Sequence, residues 1–317
     1  DFKTTKRRLM GFRKNKDGVQ EYYYKKYEKK QTIIQKDWFK ENGHKRDTFP
    51  EDFFRHIESE LTLVWLGYWA WAIDGDGALF FKKGETNKSV GISLAEREPI
   101  QFLADLYGSS ISVIEFLSEE WQPSYRVYLT GKRCHHFLKL ICPYMTEKKQ
   151  EALRIINETE PNYHPPKVPM NFRKDPGSIM PHMGMVGGWF DTEGSVGIKP
   201  VEQIYKSKRK GTRVYASLHQ WVYFASTNLP SIRKIKRILE SWPFPFKPTI
   251  YTHQDTALNK DKKKVKKKYQ LYLPVSQHLL FMKMFAPWIL LSCKRNYADK
   301  FERKRDIYKM CDENKKG

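Results

Sequence analysis

Two short stretches, 117 residues apart, carry one pattern. Tyr68–Gly77 reads YWAWAIDGDG and Met185–Gly194 reads MVGGWFDTEG. Each is an apolar run closing on acid–small–acid–glycine, with Asp74 matched to Asp191 and Asp76 to Glu193. An apolar run of this kind reads as a helix. The glycine marks its end, where left-handed backbone is expected. A strand pattern follows at once in both copies. A chain that carries this junction twice is expected to fold as two related halves.

The flanking patterns repeat in the same order. The first half predicts a helix at 60–74, strands at 77–83 and 90–94, and a helix at 98–107. Strands at 110–116 and 124–130 and helices at 131–141 and 146–158 complete it. The second half predicts a helix at 182–192, strands at 195–203 and 213–225, and a helix at 229–240. Strands at 247–253 and 268–274 and helices at 276–287 and 293–310 follow. Between them, Pro161, Pro165, Pro166, Pro169, Pro176 and Pro181 predict a linker, because proline denies helix and sheet a donor. The expected division is an extension at 1–59, a first domain at 60–160, a linker at 161–180, a second domain at 181–310 and a tail at 311–317.

Two acids at the end of a helix oppose its macrodipole, which favours cations there. A bound divalent cation offsets that cost, and oxygen ligands suit Mg²⁺. A calcium loop does not fit: with Asp74 and Asp76 at its third and fifth positions, Ala72 would open it and Lys83 close it. The small residues Ala70, Ala72, Gly187 and Gly188 allow two such helices to pack closely, bringing their terminal acids to one point. Trp71 aligns with Gly188, an expected large-against-small fit, and Gly75 aligns with Thr192 in the same way.

The motif pair and the order around it resemble the single-chain LAGLIDADG homing endonucleases over about residues 60–310. The resemblance implies an α+β fold of two pseudo-symmetric αββαββα domains, each with a saddle-shaped antiparallel sheet, after a basic N-terminal extension. It implies a monomeric, metal-dependent endonuclease that makes a double-strand cut across the minor groove of DNA. Short 3′ overhangs and a role in intron homing are implied too. The cofactor would be Mg²⁺, with Mn²⁺ or Ca²⁺ able to substitute in binding. Asp76 and Glu193 would be the catalytic metal ligands, with Gly75 and Thr192 beside them at the metal sites, and Asp74 and Asp191 would support them. Lys148 and Lys294 match the lysine that such domains carry near the site, with Lys149 as the alternative to Lys148. The alternative on the same scaffold is an RNA-binding intron maturase, whose partner is the host intron RNA.

Charge agrees with a polyanionic partner. The formal net charge is +22, and residues 166–317 carry 31 basic and 12 acidic side chains against 11 and 13 in residues 61–165. Basic hairpin tips supply phosphate-contact candidates: Lys82 and Lys83 in the first half, and Lys206, Lys208, Arg209, Lys210, Arg213, Lys263, Lys264 and Lys266 in the second. Arg126, Tyr128, Gln220 and Tyr269 are candidate DNA contacts on the sheets, alongside Tyr215, His219, Tyr223 and Gln270. The longest apolar run, 61–73, is shorter than the ~20 residues of a membrane span. Four cysteines without metal-ligand spacing fit a reducing compartment, and Cys134-His135-His136 reads as helix packing. Lys- and Tyr-rich composition points to an organelle, mitochondrion or chloroplast. Residues 1–50, with aromatics among lysines, read as an arm of little regular structure.

Overall fold

A computed structural model describes residues 7–14, 20–28, 51–81, 88–116, 123–169, 178–207, 211–243, 246–254 and 267–303. The chain divides into two compact units: Asp1–Val168 with Met180–Gly188, and Pro169–Ile179 with Trp189–Gly317. The first contains strands β1 (Arg7–Lys14) and β2 (Gln20–Glu28), helices α1 (Glu51–Glu60) and α2 (Leu63–Asp76), and strands β3 (Ala78–Phe80) and β4 (Ser89–Leu94). Helix α3 (Arg97–Leu106), strands β5 (Ile111–Phe116) and β6 (Ser124–Thr130), and helices α4 (Gly131–Ile141) and α5 (Lys149–Asn157) complete it. Helix α6 (Ile179–Glu193) leads into β7 (Gly194–Ser207), β8 (Gly211–Ser226), α7 (Leu229–Glu240), β9 (Thr249–Gln254) and β10 (Lys267–Tyr272). Helices α8 (His278–Phe285), α9 (Ser292–Arg295) and α10 (Tyr297–Glu302) end the described chain.

Both sheets are antiparallel and obey one topology. The strand order is β3-β4-β6-β5 in the first unit and β7-β8-β10-β9 in the second. The repeat read from the sequence is therefore a repeat of fold. The first sheet has two further strands, because β2 pairs with β5 and β1 with β2, giving six. The sequence reading had set residues 1–59 apart as an extension; two of its segments are sheet and a third is α1. Weak alternation in a run of lysines and tyrosines hid them, because strand pairing is set by neighbours more than by propensity. The single helix expected over 293–310 is broken into α9 and α10 as far as residue 303.

The cores sit between each sheet and its helices. In the first unit Val90, Ile92, Val127 and Leu129 face Leu103, Phe137 and Leu138, all nearly or fully buried. In the second, Phe224 stacks on Trp189 at 5.7 Å and meets Phe190 and Phe281 edge-on at 5.3 and 5.9 Å. Offset and edge-on ring pairs of this kind favour one arrangement of the core. Helix α7 starts on a working cap: the Asn228 side chain accepts the Ser231 N–H at 3.3 Å, with Pro230 in the first turn.

Within the first unit, α2 packs against residues 180–188 of α6 with backbone on backbone. A Cβ on Gly67 would lie 2.0 Å from the Pro181 carbonyl oxygen, and one on Gly184 1.8 Å from that of Val64. Val64 and Pro181 stand 117 apart, as Gly67 and Gly184 do, so the two contacts are images of each other. Gly188 is also excluded from a side chain, by the Tyr68 carbonyl at 2.2 Å. Trp71 is fully buried and its indole N–H donates to the Tyr144 carbonyl at 3.0 Å.

Candidate nucleic-acid and metal site

The ends of α2 and α6 are built alike. Gly77 and Gly194 are extended, at φ −73° and −83°, so the left-handed glycine expected there does not occur. The need for glycine is steric instead. The chain doubles back on the last turn so tightly that a Cβ on Gly77 would lie 2.6 Å from the Ile73 oxygen, and one on Gly194 2.4 Å from the Phe190 oxygen.

The first acid of each motif is inside. Asp74 is 2 % exposed and accepts the backbone N–H groups of Thr146 at 2.6 Å and Lys148 at 2.9 Å. Asp191 is 3 % exposed and accepts those of Leu290 at 2.7 Å and Leu291 at 3.3 Å. Each carboxylate thus ties the motif helix to the segment that brings in a lysine. The Lys148 ammonium donates to the carbonyls of Ile73, Asp74, Gly75 and Gly77 at 2.8, 2.8, 3.1 and 2.8 Å. The Lys294 ammonium donates to Phe190, Asp191 and Gly194 at 2.7, 2.6 and 2.8 Å. The three shared acceptors correspond at the 117-residue offset.

A cation on the last carbonyls offsets the macrodipole and satisfies groups a helix end otherwise leaves to water. Part of the cost assigned to a metal from the sequence is therefore met by lysine. Burial pushes the Asp74 carboxyl up, against the pull of its backbone donors and the Lys148 charge. Burial likewise pulls the Lys148 ammonium down, against the carboxylates of Asp74, Glu147 and Asp76. Desolvation dominates both.

Asp76 and Glu193 are the last residues of their helices; Asp76 is exposed and Glu193 half-buried. Their carboxylates are hard oxygen donors, which fit a divalent ion of the Mg²⁺ class. Among the described residues no group of three or more His, Cys, Asp or Glu forms a cage. Gly75 is half-buried with its carbonyl on Lys148, and Thr192 is half-buried with its hydroxyl donating to the Trp189 carbonyl at 3.4 Å.

Strand register sorts the sheet candidates. In the first sheet Val127 and Leu129 face the helices, so Arg126 and Tyr128 lie on the opposite face, where Arg126 donates to the Tyr128 hydroxyl at 3.0 Å. Tyr128 lies over Gly91 on the neighbouring strand, within 2.5 Å of where a Cβ would be. In the second sheet Val222, Phe224 and Leu271 are buried. Gln220 and Tyr269 alternate with them onto the helix side, which removes both as contacts on the opposite face. His219, Trp221, Tyr223, Gln270 and Tyr272 take that face. Tyr223 and Tyr272 pair at 4.8 Å, and Tyr251 meets Tyr272 edge-on at 5.5 Å. Trp221, Tyr251 and Tyr272 lie outside the residues expected from the sequence; alternation against the apolar pair Val222 and Phe224, which takes the odd-numbered positions beside them, finds the first.

Lys206 and Arg213 fall in β7 and β8 near their turn, in the pairs Lys206–Thr212 and Tyr205–Arg213. Lys82, Lys83, Lys208, Arg209, Lys210, Lys263, Lys264 and Lys266 lie outside the described residues. The Cys134-His135-His136 stretch is packing, as expected. Cys134 is buried with its thiol pushed up to about 12 by desolvation, and His136 bridges the Tyr107 hydroxyl and Glu58, both at 3.1 Å. A cavity of about 690 Å³ beside it, lined by Phe54, Lys139 and Tyr163 among others, includes no motif residue. Among the described residues no helix is long and apolar enough to cross a membrane.

No protein-family model and no curated protein matches the sequence. Similar solved structures include I-DmoI in complex with DNA and Mn, 13 % identical, with a TM-score of 0.37 over 71 % of this chain and 97 % of that one. The LAGLIDADG homing endonuclease I-GzeII in complex with its DNA target is 11 % identical, with a TM-score of 0.41 over 79 % and 91 %. The LAGLIDADG meganuclease I-CpaMI bound to uncleaved DNA is 13 % identical, with a TM-score of 0.39 over 77 % and 92 %.

Proposed function

We propose that this chain is a monomeric, site-specific double-strand DNA endonuclease dependent on Mg²⁺, with Mn²⁺ or Ca²⁺ able to take its place in binding. One observation carries the reading. In both copies of the motif a buried first acid and a lysine bind backbone groups, and a second, less buried acid is the last residue of the helix. Two acids that end matched helices 117 residues apart, against the helix macrodipole, suit binding of a divalent ion.

Asp76 and Glu193 would hold the metal, which would supply Lewis-acid activation of a water and charge stabilisation at the departing 3′ oxygen. Asp74 and Asp191 keep each helix end in place, and Lys148 and Lys294 hold its carbonyls in register, so both lysines serve the reaction by positioning. The sheet faces opposite the helices contact the bases and phosphates. Each motif is assigned one strand, with cutting across the minor groove and short 3′ overhangs as products. The biological setting is homing of an intron, in an organelle.

The test is to incubate the chain with a randomised duplex library and Mg²⁺ and to sequence the cut ends. A single consensus site with 3′ overhangs is expected. Absence of cutting, combined with selective binding and splicing of the intron RNA that encodes the chain, would replace the endonuclease with a maturase.

A further inference from the structure

Four rings line the face of the second sheet opposite its helices. In the strand order β7-β8-β10-β9 the central strands carry Trp221, Tyr223 and Tyr272 on that face, and the edge strand β9 carries Tyr251. Tyr223 and Tyr272 are partners across β8 and β10, and His219 lies beside Trp221 at 5.3 Å. The rings cross three strands, about 10 Å of sheet.

Trp221 lies flat on the sheet. It pairs with Gly197 of β7, and a Cβ on Gly197 would fall 2.0, 2.4 and 2.5 Å from three neighbouring atoms of its six-membered ring. A Cβ rises out of the sheet, so three ring atoms at nearly one distance set the ring across its path. Gly197 is buried beneath it. One face of the indole is therefore covered by β7 and the other is turned away from the strand. The indole N–H donates to the Ser195 hydroxyl at 3.1 Å, and the Tyr272 hydroxyl donates to Gln270 at 3.3 Å. Both polar groups are engaged within the sheet.

This arrangement limits what the rings can recognise. Base edges in a duplex are read by hydrogen bonds, and the faces of paired bases are covered by their neighbours in the stack. A ring face matches the face of a base, which a strand offers only where it is unpaired. The charge around the rings suits a phosphate backbone. Lys199 opposite His219 and Lys268 opposite His253 flank them in register, and among the described residues of this face none is acidic. We infer that this face is a stacking platform for about two or three unpaired bases of a single strand, DNA or RNA. The platform adds a second ligand to a face assigned above to duplex DNA, and it does not depend on whether the chain cuts.

The test uses the full chain without metal, so that nothing is cut, and labelled strands of about 12 nucleotides read by fluorescence anisotropy. The probes are oligo(dT), oligo(U) and a strand of abasic sites with the same number of phosphates. The unaltered chain is expected to bind oligo(dT) or oligo(U) at least about tenfold more tightly than the abasic strand. Trp221→Ala and Tyr272→Ala should each weaken that binding about tenfold, and Trp221→Phe should keep most of it. The log–log salt slope should stay unchanged, because no cation is removed. Tyr251 is 51 % exposed on the edge strand, so Tyr251→Ala keeps the test open if a central-strand variant fails to fold; it should cost about fivefold. Whether oligo(dT) or oligo(U) binds more tightly shows which strand the platform prefers, and either answer supports it. Equal binding of the abasic strand, or ring variants that bind as before, overturn the inference while leaving the endonuclease reading intact. A loss from Trp221→Ala as large on a blunt duplex as on the single strand overturns the choice of unpaired bases.

Discussion

The end of α2 and the end of α6 reach one electrostatic arrangement from different surroundings. In the first unit the buried Asp74 is answered by Lys148 at the cap of the nine-residue α5, 74 residues later. In the second, Asp191 is answered by Lys294 inside the four-residue α9, 103 residues later. Three of the carbonyl acceptors correspond, while the helices that deliver the lysines do not. The fold has kept the clamp and let its scaffold drift. The second acids differ more: an aspartate left exposed against a glutamate half-buried.

That contrast can be broken at the chemistry first. Asp76→Asn or Glu193→Gln alone should lower double-strand cleavage at least about 10²-fold, the scale of losing one charge-stabilising group. Nicked plasmid should accumulate with each, at unequal rates because the two acids differ. Full linearisation by either variant would refute the assignment of one acid to each motif.

The clamp is the next largest effect. Lys148→Met leaves a buried carboxylate and four carbonyls without their cation and should cost roughly 3–5 kcal/mol, as breaking a buried pair does. Lys294→Met should cost a similar amount, and denaturant unfolding compares them. Pairing Lys148→Met with Asp74→Leu should cost less than Lys148→Met alone, since no buried charge is then stranded. A double variant that is weaker than the single would mean that the backbone N–H groups of Thr146 and Lys148, left without the Asp74 carboxylate, outweigh the stranded charge.

The helix contact sharpens the comparison more gently. Gly67→Ala and Gly184→Ala meet equivalent carbonyls and should destabilise alike, by about 1–3 kcal/mol each, the usual cost of overpacking. Unequal melting losses would show that the mirrored contact is not mirrored in energy.

The smallest effect is on pH. Asp74 titrates above its unfolded value, so the folded state holds more protons than the unfolded chain just above pH 3.8. Its contribution is complete below the unfolded pKa and is lost as pH rises through the folded one. The stability difference between the unaltered chain and Asp74→Asn should fall with rising pH across that window. Lys148, held below 10.5, acts in the opposite direction: the folded state holds fewer protons there, and stability should rise with pH up to 10.5 until Lys148→Met removes the slope.

Much of this was legible before any coordinates. The duplicated order of elements follows from periodicity and the 117-residue offset, and Lys148 and Lys294 follow from the resemblance, which leaves Lys149 open beside the first. The reason for glycine at 77 and 194 did not, because close approach and positive φ leave the same mark in a sequence. Gly67 and Gly184 also sat at the 117 offset in plain view. They were passed over for Ala70, Ala72 and Gly187 because nothing in one chain says which side of a helix meets another. The face of Gln220 and Tyr269 needed register, which a one-residue slip reverses. Strands β1 and β2 needed β5, a partner some ninety residues away.

One experiment goes to the division of labour within each motif. Asp74→Asn with Asp191→Asn is compared with Asp76→Asn with Glu193→Gln, measuring thermal midpoint and single-turnover cleavage of a selected target in Mg²⁺. The account predicts a lowered midpoint from the first pair. From the second it predicts loss of cleavage at a midpoint that is not lowered, since both acids oppose the helix macrodipole. A second pair that melts early, or that still cuts both strands at the original rate, would contradict it.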